Sequence, residues 1–147
     1  MHMKRLSHWV FTVLSLITLS SCEEEMSNIV TDETAKDVTG NWKVLKLTRN
    51  GEDLSKRLDL NDFQISFKTD GTYSLSEQLP FVVNDAGNYT LSDPQFPFSL
   101  ILQPEGETTE VPVKFQFPVV KGKRQLSLTF SLGCSSNTYQ FDFERQN

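Results

Sequence analysis

Leu126-Ser127-Leu128-Thr129-Phe130-Ser131-Leu132 and, a few residues on, Tyr139-Gln140-Phe141-Asp142-Phe143-Glu144-Arg145 decide the fold of this chain. Apolar and polar residues alternate in both. Successive side chains of a strand point to opposite faces, so each segment carries one greasy face and one wet one. The same period runs back through the sequence: Phe63, Ile65 and Phe67; Tyr73 and Leu75; Tyr89 and Leu91; Phe96, Phe98, Leu100 and Leu102; Val111, Val113, Phe115, Phe117 and Val119. With Trp42–Thr48 these predict eight strands, near 41–49, 62–68, 72–78, 87–92, 96–103, 111–119, 124–132 and 137–145. Asp70-Gly71 is the strongest hairpin turn, and Asn84-Asp85-Ala86-Gly87, Ser92-Asp93-Pro94, Glu105-Gly106 and Lys121-Gly122 mark others. Pro112 and Pro118 cannot donate to a ladder, so their strand is expected to be bulged or partly unpaired.

Two connections stand out. Between Asn50 and Asn61, Leu54 and Leu58 are spaced i,i+4 beside Asp53, Lys56 and Arg57, which predicts a short helical turn after the first strand, lying across a barrel end. Leu79-Pro80-Phe81-Val82-Val83 is apolar for a loop. Such a segment either folds over the end of the domain or meets a partner, and the first is the expectation.

Eight antiparallel strands with one apolar face each can close into an up-and-down barrel or split into a sandwich. Short sequential hairpins favour the all-β, eight-stranded antiparallel meander, and an even strand number lets the first and last strands pair and remove both edges. That closure brings Trp42 near Arg145, whose parity with Tyr139, Phe141 and Phe143 points it inward. A guanidinium over an indole contributes about 0.5–2 kcal/mol.

The N-terminus carries a different signal. Met1-His2-Met3-Lys4-Arg5 is a short basic region, followed by a mostly apolar stretch from Leu6 to Leu19. This is shorter than the roughly 20 residues a spanning helix needs. It fits the core of an export signal over residues 1–21. Leu19-Ser20-Ser21-Cys22 resembles the lipobox of bacterial lipoproteins, which implies that Cys22 receives a diacylglycerol thioether and becomes the first mature residue. Two acyl chains suffice for stable anchoring. Glu23-Glu24-Glu25 leads the chain away from lipid, and residues 22–38 read as an acidic tether ahead of a domain over 39–147. In lipoproteins of the Bacteroidota an acidic run at this place resembles the signal for export to the outer face of the outer membrane; the alternative is the periplasmic face.

Removing residues 1–21 leaves 126 of the 147 residues, the size of one domain. Lys4 and Arg5 leave with the signal while all 19 acids stay, so the net charge moves from −5 to −7. An acidic domain repels phosphate backbones, so nucleic acid is not an expected partner. Lys121, Lys123 and Arg124, the densest basic group, read as a solvated hairpin tip. Both histidines, His2 and His8, lie in the signal. The mature chain therefore has no imidazole for a Ser-His-Asp or Cys-His pair, for an HExxH zinc motif or for another His-ligated metal. Cys134 is the only other cysteine, which excludes an intramolecular disulfide once Cys22 is acylated. It reads as an inert, half-buried thiol in a turn. Among the acids no spacing singles out a catalytic pair; Asp62, Asp70, Glu77 and Asp142 fall at strand ends or on polar faces. No enzyme activity, metal or cofactor is expected.

Gly40-Asn41-Trp42 resembles the Gly-x-Trp that opens the first strand of lipocalins, and Arg145 matches the basic residue that packs on it from the last strand. Phe67-Lys68-Thr69-Asp70-Gly71-Thr72-Tyr73 and Gly87-Asn88-Tyr89-Thr90-Leu91 resemble the second-to-third hairpin and fourth strand of lipocalin-like domain lipoproteins of gut Bacteroidota. The resemblance runs from about Val38 to Arg145 and implies a lipocalin-like barrel more than a function. The strands are short, so a cavity is expected to be small. The leading expectation is a membrane-anchored, non-catalytic module binding a small apolar or amphipathic ligand, lined by candidates Trp42, Phe67, Tyr73, Tyr89, Phe117, Phe130, Tyr139 and Phe141. The alternative is an interaction lipoprotein that contacts a partner protein or a glycan-handling complex through its outer surface and loops.

Overall fold

Period-two patterning becomes a closed ring of strands. The computed structural model describes residues 33–77 and 79–146. The export signal, Cys22 and the tether up to residue 32 lie outside the described residues. The strands are β1 (Gly40–Arg49), β2 (Glu52–Asp53), β3 (Gln64–Phe67), β4 (Thr72–Leu75), β5 (Gly87–Leu91), β6 (Ser99–Pro104), β7 (Val111–Gln116), β8 (Val119–Val120), β9 (Lys123–Ser131) and β10 (Thr138–Arg145). All pairings are antiparallel. The order β10-β1-β3-β4-β5-β6-β7-β9 returns to β10 through the β9–β10 pair, so eight strands form a barrel with no free edge. The two-residue strands β2 and β8 are short hairpin arms attached to β1 and β9.

Closure is made by β1 and β10, with Trp42 opposite Arg145 and Arg49 opposite Tyr139. The register shifts once, between Val44 and Lys46. Leu45 is the additional residue of this β-bulge. The bulge lets Trp42, Val44 and Leu47 all face the core while Leu45 and Lys46 face out, which explains an apolar side chain that is 42% exposed. The ladder of β7 lapses at Phe117 and Pro118, although the register with β9 is the same on both sides of the gap. Pro118 has no N–H to give. Partial pairing of that strand is what its two prolines predict.

Two expectations need correction. There is no helix among the described residues. The segment after β1 instead makes a tight hairpin at Asn50-Gly51, both with positive φ (51° and 82°), the signature of a type I′ turn. β2 then pairs back on β1, and the Leu54 N–H donates to the Leu47 carbonyl. Pinned there, the chain has room only for a turn in which Arg57 and Leu58 N–H groups meet the Leu54 carbonyl. Leu54 packs on the core and Leu58 is exposed. Secondly, β6 begins at Ser99, not near residue 96, and Phe96 and Phe98 point into solvent. The side chains of Ser92 and Asp93 claim the backbone first: Asp93 accepts from the N–H groups of Gln95 and Phe96, and Ser92 Oγ from those of Phe98 and Ser99.

The strand directions define two barrel ends. The near end holds Gly40, Arg145, the 68–71 turn, the 92–98 loop and the 117–124 hairpin. The far end holds Arg49 and the loops 50–63, 76–86, 105–110 and 132–137.

Candidate functional site

At the near end the chain enters the barrel through residues that the sequence alone places in the tether. Val38 is buried, its carbonyl accepts from Trp42 Nε1 at 2.8 Å, and the Lys36 N–H donates to the Pro94 carbonyl at 2.7 Å. The Arg145 guanidinium carbon lies 5.0 Å from the Trp42 ring centroid, and its Nη2 donates to the Asp37 carbonyl at 2.7 Å. The seal of this end is therefore a stack: indole inside, guanidinium over it, entering backbone outside. Phe117 meets the indole edge-on at 5.8 Å, and Arg124 covers Phe117 at 5.1 Å while donating to its carbonyl. Both lids combine cation–π attraction with a charge-assisted hydrogen bond.

The far end is closed by the apolar loop. Phe81 and Val83 are buried, and Phe81 packs on Phe63, Phe130 and Phe141 at centroid distances of 5.6, 5.1 and 5.3 Å. Phe141 in turn stacks with Phe143 and Phe130, and Phe63 touches both Phe141 and Phe143.

Seven of the eight candidate lining residues meet another aromatic ring; Tyr73 is the exception among the described residues. Trp42 and Phe117 belong to the near end, and so does Phe67, whose ring is 4.8 Å from Tyr89. Phe130, Tyr139 and Phe141 belong with Phe81 at the far end, where Arg49 lies 5.8 Å from the Tyr139 ring. Phe63 and Phe81 are central contacts missing from the lining candidates; the signal for Phe63 was its place on an alternating face, and for Phe81 its place in an apolar loop.

Tyr73 differs from the rest. It is 2% exposed, and its hydroxyl has no hydrogen-bond partner among the described residues. Burial, with the nearby charges of Asp85 and Glu107, pushes its pKa up to about 12. Tyr89, by contrast, donates its hydroxyl to the Lys68 carbonyl. Tyr73 pairs with Gly87, and a Cβ on Gly87 would run into the carbonyl oxygen of Gln103. β4 and β5 share only two paired positions before they diverge, and an open cleft of about 350 Å³ lies there, bordered by Tyr73, Ser74, Gly87, Asn88 and Glu105 among others. A second cleft of about 240 Å³ lies on the near end between Lys123, Arg124, Glu144 and Arg145. Cys134 is exposed, not half-buried; its turn, closed by the Asn137 N–H on the Cys134 carbonyl, sits outside the barrel. The Ser136 hydroxyl beside it lowers the thiol pKa.

Residues 20–144 match a family described as a domain of unknown function (DUF5004). No curated protein and no solved structure matches the chain. The closed eight-stranded barrel is consistent with a lipocalin-like architecture.

Proposed function

We propose that this chain, which belongs to the DUF5004 family, is a lipid-anchored, non-catalytic module that works through the surface of a packed barrel. The observation that carries this reading is the aromatic packing among the described residues: Phe63, Phe81, Phe130, Phe141 and Phe143 meet ring to ring toward the far end, and Trp42 meets Phe117 at the near end. A ligand in the centre would have to displace rings that contribute about 1.5–3 kcal/mol each by their burial. The anchor is Cys22, behind its Leu19-Ser20-Ser21 lipobox. The family match spans cysteine, tether and barrel alike, which supports their being one functional unit. The acidic run after Cys22 supports display on the outer face of the outer membrane, where the loops would meet a partner protein or a glycan-handling complex. No imidazole follows residue 8, which supports a role without chemistry.

A second reading keeps the small ligand but moves it from the interior to the β4–β5 cleft. Its support is that Tyr73, whose buried hydroxyl has no partner among the described residues, is one of the residues bordering that opening. An apolar fluorescent probe titrated into residues 23–147, together with native mass spectrometry of the protein from its own host, separates the two. Surface function predicts no saturable one-to-one probe binding and either no extra mass or the mass of a macromolecule. Saturable binding that Tyr73→Phe weakens would replace it with the ligand reading. Anchoring has its own test: Cys22→Ser is expected to move the protein from membrane to soluble fractions.

A further inference from the structure

The near end carries apolar side chains that the fold could have buried and did not. Phe98 is 72% exposed, Phe96 62% and Val119 57%, and Val120, next to Val119 in sequence, is exposed as well. They are carried by two neighbouring elements of the rim, for β6 and β7 are paired and the Phe115 N–H donates to the Phe98 carbonyl. Neither element is loosely held. The 92–98 loop is built around the side-chain acceptors of Ser92 and Asp93, and the hairpin turns at Lys121-Gly122 with φ of 50° and 77°. The rings are held outward by construction, and exposed Lys121, Lys123 and Arg124 lie on the same hairpin as Val119 and Val120.

We propose that this end docks on a phospholipid surface, its aromatic and aliphatic side chains entering the interfacial region and its basic hairpin meeting anionic headgroups. The proposal rests on the Cys22 anchor and adds an orientation to it. Three observations choose a bilayer as the occupant. The described chain begins at Glu33 on this end, and Lys36 is tied to Pro94 in the very loop that presents Phe96 and Phe98. Only residues 22–32 separate that point from the lipidated sulfur, a reach of at most about 40 Å at roughly 3.5 Å per residue. Tethering at such a distance supplies an effective concentration in the millimolar range, so a weak surface affinity is enough. The charges are also sorted along the barrel. Among the described residues the far end carries nine carboxylates against Arg49, Lys56 and Arg57. Among the described residues the near end sets Lys36, Lys68, Lys121, Lys123, Arg124 and Arg145 against five acids (Glu33, Asp37, Asp70, Asp93 and Glu144). An anionic surface repels the first end and tolerates or attracts the second. Mixed aromatic and basic side chains are the composition that suits an interface.

The test uses the acylated full-length product reconstituted into vesicles of phosphatidylethanolamine and phosphatidylglycerol with brominated acyl chains as quencher. Phe98→Trp reports on the near end and Leu58→Trp on the far end; both positions are exposed, and the parent protein corrects for Trp42. The expected result is a blue shift and several-fold stronger quenching at position 98 than at 58. Replacing Lys121, Lys123 and Arg124 by Gln, or raising the salt, should reduce the difference. Equal quenching at the two positions, or strong quenching at 58 alone, overturns docking. The lipid mass on Cys22 is read first: a cysteine without lipid overturns both anchor and docking, whereas acylated protein with an unquenched Phe98→Trp indole overturns docking alone.

Discussion

Tyr73 is the residue from which an alkaline pH dependence of stability is expected. Its ring fills the core, but its hydroxyl has left water for no partner among the described residues. A buried hydroxyl without a hydrogen bond costs about 1–3 kcal/mol by mutational measures. Tyr73→Phe is therefore expected to be neutral or stabilising by up to about 2 kcal/mol in urea denaturation at pH 7, unlike most core changes. The raised pKa fixes a second expectation. The unfolded phenol ionises near pH 10 and the folded one at about 12, so the folded state binds the proton more tightly. The stability this confers is intact below pH 10 and is lost as pH climbs through 12. Tyr73→Phe should flatten that alkaline decline; a decline of unchanged steepness in the variant would remove the assignment.

At the scale of elements, the strands are held in place by a repeated local device. Asp37, Asp53, Asp59, Asp70 and Asp93 each accept a hydrogen bond from the backbone N–H two residues on, at Thr39, Ser55, Asn61, Thr72 and Gln95. These Asx-turns shape connections and strand entries, which is why short polar residues recur there. Thr39 and Thr72 add their hydroxyls to Asp37 and Asp70. The bonds hold the carboxyls of Asp37, Asp53, Asp70 and Asp93 below the usual carboxylate range. Depressed acids contribute stability that is present above the unfolded pKa of about 4 and lost as pH falls through the folded values. Acid unfolding should accordingly begin below pH 4. Asp70→Asn keeps an acceptor but cannot titrate, so its acid limb, followed by circular dichroism, should be shallower than the parent's. The Asp-x-Ser/Thr spacing was in plain view in the sequence. So was Asn50-Gly51, a hairpin dipeptide of the same kind as Asp70-Gly71, yet the i,i+4 leucines beyond it suggested a helix. Two φ-positive residues in a row reverse the chain before a helix can start, and that local constraint outweighs a weak two-residue period.

For the whole molecule, the closure of the far end separates a packed barrel from a ligand-holding one. Phe81 is the plug, seated on three other rings. Phe81→Ala should destabilise the domain by about 3–5 kcal/mol in chemical denaturation. If the fold survives, the variant should acquire binding of an apolar dye that the parent lacks. Parent protein that binds the dye just as well would mean that the interior is already open. The near end, with its two cation-covered rings, is predicted to respond differently: Arg145→Met should lower stability by about 1–2 kcal/mol, since it removes a cation–π contact and a charge-assisted hydrogen bond.

Alternation after Gly40, the parity that brings Arg145 to Trp42 and the ladder-breaking Pro118 are all properties of the amino-acid order. They were legible because side-chain parity and turn chemistry are set by covalent geometry within a few residues. Other features depended on how far each strand overlaps its neighbours around the ring, which no local pattern encodes. Phe98 shares the parity of Leu100 and Leu102, yet it stands beyond the rim and is exposed while they are buried. Leu45 faces out because a bulge opposite Phe143 and Asp142 resets the phase of β1. Val38, polar in its surroundings by sequence, is buried in the core cluster, and its main-chain carbonyl accepts from the Trp42 indole N–H. That the 79–83 loop packs Phe81 on Phe63, Phe130 and Phe141 was likewise decided only by closure, since no local pattern says which rings a loop will meet.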